Sequence, residues 1–159
     1  AVLLGRLAEH LATHGADEDA QVTATSIRRY FNEAAPRHHE DEEVDMFPRL
    51  RERLDVEHDR VVLDVLDQVE ADHLEMAGVW TRLDALLAEI ARGKAVTLEQ
   101  PLIDRFATMY RHHIDAEERV LLPALKRVLR KGDWQAVGRA MAERRGLDWE
   151  QVEKPLGRA

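Results

Sequence analysis

The sequence predicts an all-α fold, an antiparallel up-down-up-down four-helix bundle with a short C-terminal helix. Three observations lead there. The 159 residues carry 34% charged and only 5% aromatic side chains, with few Gly or Pro, a composition that favours helices over strands. Apolar residues recur every three or four positions in four main stretches. The breaks between those stretches are short, which forces neighbouring helices to run antiparallel. A chain of this length supports one compact core, so a single domain over 1–159 is expected.

The first helix is expected over 1–14, where Val2, Leu3, Leu4, Leu7 and Leu11 set the period and Gly15 closes it. The second, over 19–53, turns Ile27, Phe31 and Ala34 inward, and His38 continues that stripe. The third, over 56–91, carries Val62, Leu66, Val69, Met76, Trp80, Leu83, Leu87 and Ile90 and stops at Gly93. The fourth, over 98–130 with Thr97 as its cap, carries Leu102, Phe106, Met109, Val120 and Ala124. Gly132 and Asp133 should separate it from a terminal helix around 134–145. Pro36, Pro48 and Pro123 fall inside the pattern and should kink their helices or mark restarts.

Composition also excludes functions. With a net charge of -8 and basic residues scattered along the chain, there is no footprint for nucleic acid. No apolar run approaches the ~20 residues of a membrane span. The chain has no cysteine, so disulfides, thiolate nucleophiles, Fe–S clusters and thiolate zinc sites are ruled out. A soluble, cytoplasmic protein is expected, and any metal in it must be held by nitrogen and oxygen.

Three histidines interrupt the apolar stripes: His38, His73 between Val69 and Met76, and His113 between Met109 and Val120. Sliding the chain by 75 positions brings His38, Glu42, Glu43, Met46, Phe47 and Pro48 onto His113, Glu117, Glu118, Leu121, Leu122 and Pro123, a shared H-x-x-x-E-E-x-x-[ML]-[FL]-P pattern. A histidine and a glutamate four apart lie one turn apart on one helix face, so both can reach one metal or two adjacent ones. Imidazole with carboxylate suits iron, manganese or zinc better than calcium or magnesium. Two carboxylates in an apolar interior would each cost several kcal/mol of desolvation without a cation to meet them. Phase selects His38 and His113 over their neighbours His39 and His112, and Glu42 and Glu117 as their partners. Glu43 and Glu118, with His39, are the alternates, and the rest of the acidic run Glu40-Asp41-Glu42-Glu43 reads as a solvated face. Met76 and Trp80 read as packing beside the site.

The paired segments and the lone His73 resemble the hemerythrin-like (HHE) cation-binding domains, with the match running from about 27 to 125. The resemblance implies a centre of two iron ions bridged by Glu42 and Glu117. It makes His38 and His113 terminal ligands and His73 a ligand from the third helix. It further implies that the centre meets dioxygen or related small oxidants such as nitric oxide or peroxide. Two features depart from the family pattern. A second histidine one turn along the third helix is absent, since position 77 is Ala and position 69 is Val. A first-helix histidine is also expected, and the candidates are His10 and His14. His38 lies about twenty residues into its helix, or ~30 Å from the first turn at 1.5 Å per residue, which places its antiparallel partner upstream of Ala1. His10, His14 and His58 therefore read as surface or helix-end residues, with His10 the weakest of the ligand candidates.

A ferritin-like di-iron carboxylate protein would carry two E-x-x-H motifs, and only Glu70-x-x-His73 fits. A zinc hydrolase of the H-E-x-x-H type fails because the second histidine after His39-Glu40 is missing. Iron storage or buffering and a metal-free interaction bundle remain as the other readings. An enzymatic role is not the first expectation, although a di-iron redox or peroxide-removing activity fits the same residues.

Overall fold

The computed structural model describes residues 2–152, of which the great majority are helical, with no strand among them. Helix α1 is Val2–His14. Helix α2 runs over 18–53, with α-helical segments Glu18–Arg29, Ala35–Glu40 and Phe47–Arg53 separated by π-helical stretches Tyr30–Ala34 and Asp41–Met46. Helix α3 is Arg60–Ala91. Helix α4 runs over 100–128 as Gln100–Ala116, a π-helical stretch Glu117–Leu121, and Leu122–Val128. Helices α5, Lys131–Arg144, and α6, Trp149–Val152, complete it. None of these helices is long and apolar enough to cross a membrane.

The prolines explain the π-helical stretches. Proline lacks the N–H of an α-helical bond, and its ring collides with the carbonyl four residues back. Here the residue before each proline donates instead to the carbonyl five back: Ala35 to Tyr30, Phe47 to Glu42, and Leu122 to Glu117. The wider turn makes room for Pro36, Pro48 and Pro123, so the kinks or restarts expected there take the form of π-bulges. Each bulge also advances the helical phase. The buried line on α2 therefore runs Ile27 to Ala35 instead of to Ala34, which is exposed.

Several boundaries differ from expectation. Helix α3 starts at Arg60 because Asp55 turns the chain back, accepting from the backbone N–H groups of Glu57 and His58 at 2.9 Å each. Gly132 and Asp133 lie inside α5, where Asp133 accepts from the Arg130 N–H at 2.8 Å and caps the helix start. Helix α4 is preceded by Glu99 in extended backbone, with no side-chain cap from Thr97.

Pairs of contacts fix the register. Arg28 meets Asp84 at 2.8 Å, and the Trp80 indole N–H donates to Asn32 at 2.8 Å, so α2 and α3 are antiparallel. Trp80 meets Phe106, and His73 meets His113, so α3 and α4 are antiparallel too. Helix α1 packs on α2 and α4. Two apolar cores result. One, around Leu7, Ile27, Leu83, Leu87 and Phe106, lies towards α1; the other, around Phe47, Leu50, Leu66, Val69 and Leu121, lies towards α5. Buried polar residues Glu42, His73 and His113 occupy the layer between the two cores.

Candidate metal centre

Helices α2, α3 and α4 each send side chains into that layer. His73 and His113 are buried and present their Nε2 atoms to one another at 3.3 Å. Glu42 Oε2 lies 3.5 Å from His73 Nε2, and Glu117 Oε1 lies 2.7 Å from His113 Nε2. One donor atom from each of Glu42, His73, His113 and Glu117 lies within 4.8 Å of all the others. A second group of donors, His39, His73 and His113, meets the same limit and shares two members with the first. The Glu43 carboxylate holds His73 Nδ1 at 2.5 Å, which directs Nε2 at the centre, as partners behind metal-binding histidines do.

The residues singled out from sequence are distributed as follows. Glu42, His73, His113 and Glu117 converge. His38 is half-exposed and sits 3.1 Å from Glu42 Oε1, at the edge of the group. His39, passed over by phase in favour of His38, turns inward and stacks on His73 with ring centroids 3.9 Å apart. The bulge at Tyr30–Ala34 is the reason, because it turns the following residues by one position. Glu118 and His112 are exposed. His10 bonds Asp17 at 2.8 Å and stacks on His14 near the turn between α1 and α2, apart from the centre, and His58 is an exposed partner of Asp55. Within the acidic run Glu40 and Glu43 are exposed, as expected, but Asp41 is fully buried, held by Arg144 at the end of α5 and by Arg145 just after it, and Arg144 also bonds Asp45 at 2.7 Å. Pro36, three residues before His39, was the sequence signal for the phase change. Nothing local marks Asp41, whose partners are about a hundred residues away.

Electrostatics separates these groups. Burial, then the neighbouring His73 and His113, pushes the His39 pKa down to about 3, so the ring keeps a free lone pair at any physiological pH. Its neighbour His38 is shifted upward by its bond to Glu42. Burial raises Glu42, and the nearby Glu117 charge raises it further. Burial also acts to raise Glu117, but the bond to His113 and the charges of His113 and His38 outweigh it and lower that carboxyl.

Among the described residues, the buried Glu42 Oε2 and His113 Nδ1 find no hydrogen-bond partner, and Glu117 Oε1 has only the 2.7 Å approach of His113 Nε2. Orphans of this kind each cost about 1–3 kcal/mol. Two carboxylates and two imidazoles converge with too few protons between them to pair every donor atom, Glu42 Oε2 being left over, so the donor set fits a transition-metal cation.

The fold and site together define an all-helical protein with a buried histidine–carboxylate centre suited to a cation. The comparisons with known proteins agree. The hemerythrin HHE cation binding domain model matches residues 1–125, and the chain belongs to that family. An uncharacterized protein of Haemophilus influenzae (strain ATCC 51907 / DSM 11121 / KW20 / Rd) is 33% identical over 115 residues. That alignment covers 72% of this chain and 64% of the relative, so the chain spans somewhat less than two thirds of the relative's length.

Proposed function

We propose that this chain is a non-haem di-iron protein that binds or senses dioxygen or related small oxidants. Its four long elements would form an up-down-up-down bundle, and it would act in the cytoplasm, as the absence of cysteine suits. The observation that carries the proposal is the pair of overlapping donor groups, Glu42–His73–His113–Glu117 and His39–His73–His113, lying between two apolar cores with the buried Glu42 Oε2 left without a hydrogen-bond partner. Glu42 and Glu117 each carry two oxygens and so can serve two adjacent ions, with His73 and His113 each given to one of them. Glu42 and Glu117, which approach each other from α2 and α4, would supply the carboxylates that hold the ions. His73, His113, His38 and His39 would supply nitrogens, and Glu43 orients His73. Iron, when bound, supplies electron exchange and open coordination positions for the small oxidant; manganese or zinc would be held by the same donors.

The ferritin-like alternative loses support from Glu70, which pairs with Arg51 at 2.6 Å on the outside of α3 instead of facing inward with His73. Loading the purified protein with ferrous iron without oxygen, then admitting air or nitric oxide, tests the proposal. New visible absorption bands are expected on exposure. A loaded protein whose spectrum stays unchanged with either gas would refute the assignment to small oxidants.

A further inference from the structure

The described residues include an apolar pocket of about 300 Å³ that opens between α2 and α3 and reaches down to α4. Its walls are the rings of Phe31, Trp80, Phe106 and Tyr110 together with Met76. Its inner wall is the stacked pair His39 and His73, so it abuts the candidate metal centre directly. The lips are unusual for a surface: Leu74 is 79% exposed and Val44 57% exposed, one on each helix. Between them Ala77, one turn after His73, contributes only a methyl group, and that small side chain keeps the pocket open.

Size decides what such a space would hold. A water molecule takes a share of ~30 Å³ in the liquid, and dioxygen or peroxide is of similar scale, so either would leave most of this pocket unfilled. Pockets of ~300 Å³ and above with aromatic walls and few polar groups are the usual containers for organic molecules. Charge narrows the class. The carboxylates at the rim are Glu40, which reaches Arg144 at 3.4 Å, and Glu43, which holds His73, and the described lining includes no lysine or arginine. An anion entering would meet no lysine or arginine in the lining and would lose its hydration against apolar walls, whereas a neutral molecule would lose little.

We propose that this pocket binds a neutral, mainly apolar organic molecule of about one aromatic ring or the equivalent, its single polar end directed at His39. The bound molecule would then lie beside the metal centre, against the stacked His39 and His73. That adjacency to a metal rests on the di-iron reading, but the pocket itself is built from wall residues that need no metal.

The test uses calorimetric titration of the purified protein with cumyl alcohol, and with benzoate as an anionic probe of similar size, in metal-loaded and metal-stripped samples. Wild-type protein should bind the alcohol saturably in both states, with benzoate at least tenfold weaker in the stripped sample. Ala77→Trp, which fills the pocket, and Val44→Asp, which charges its lip, should each weaken alcohol binding at least tenfold while leaving metal content unchanged. Both positions are exposed, so neither change threatens the fold. No saturable binding of the alcohol, equal binding of benzoate, or variants that bind like wild type would overturn the proposal. Failure to take up metal beside normal alcohol binding would refute the di-iron reading and leave the pocket intact.

Discussion

Replacing Asp41 by Ala removes a carboxylate that is fully buried and bonded by Arg144, the last residue of α5, and by Arg145, which follows it. The Arg145 Nη2 contact is 2.6 Å, and Arg144 reaches both Asp41 and Asp45. Breaking a buried ion pair by deleting one partner costs about 3–5 kcal/mol, because the other charge is left unpaired. The Arg144 and Arg145 side chains are 15% and 30% exposed and can regain some water, so the lower end, about 3 kcal/mol, applies. For a chain of this length each kcal/mol is worth about 2–4 °C in Tm, so a fall of about 6–12 °C is expected. Thermal unfolding of metal-free protein gives the number without interference from metal binding. Asp41→Ala combined with Arg145→Ala should cost less than the sum of the two single changes, since the two side chains share one interaction. A Tm within 2 °C of wild type for Asp41→Ala would show that α5 does not depend on this clamp.

Three further outcomes follow from the same geometry. In metal-free protein, followed by NMR of the ring protons, His38 should titrate above its ordinary 6.5 and His39 near 3. The signs for stability are opposite. His38 contributes stability that is full below 6.5 and is lost as pH rises through its folded pKa; His39 contributes stability present above 6.5 that is lost as pH falls towards 3. Two rings titrating together near 6.5 would contradict the placement of His39. Pro123→Ala restores an N–H and lets the stretch Glu117–Leu121 tighten to α-helix, so metal content should drop while circular dichroism keeps its helical amplitude; unchanged metal content would separate the bulge from the site. Leu83→Ala, at a position with no exposed surface, should cost about 3–5 kcal/mol by opening a cavity, read from urea unfolding. A loss below 1 kcal/mol would mean that this core is not packed as described.

The helices and most of the inward faces were legible because a period of three or four residues records burial directly. His73 and His113 were found that way, as interruptions of a stripe. The paired H-x-x-x-E-E segments identified Glu42 and Glu117, which converge with those two histidines. What escaped was phase on α2. Treating that helix as uniformly α-helical sent His39 outward, whereas the π-bulge before Pro36 carries it onto His73. The proline was visible, but the sequence does not say whether a proline kinks, breaks or bulges a helix, since the outcome depends on what the surrounding packing will accommodate. The Asp41 clamp was illegible for a different reason. An acidic residue in an acidic run has solvent as its default, and its burial depends on Arg144 and Arg145, brought to it by the turn into α5. Helix starts at Arg60 and Lys131 shifted because the turn held by Asp55 and the helix cap from Asp133 compete with the apolar period.

The most direct test of the metal centre is elemental analysis of the protein purified without added chelator, beside the Glu42→Ala, Glu117→Ala double variant and the His73→Ala variant. Close to two transition-metal ions per chain, mainly iron, are expected in wild type, with metal content sharply reduced in both variants while circular dichroism keeps its helical amplitude. Wild-type protein free of transition metal after anaerobic reconstitution with iron, or variants that retain the full complement, would contradict a metal centre built from these residues.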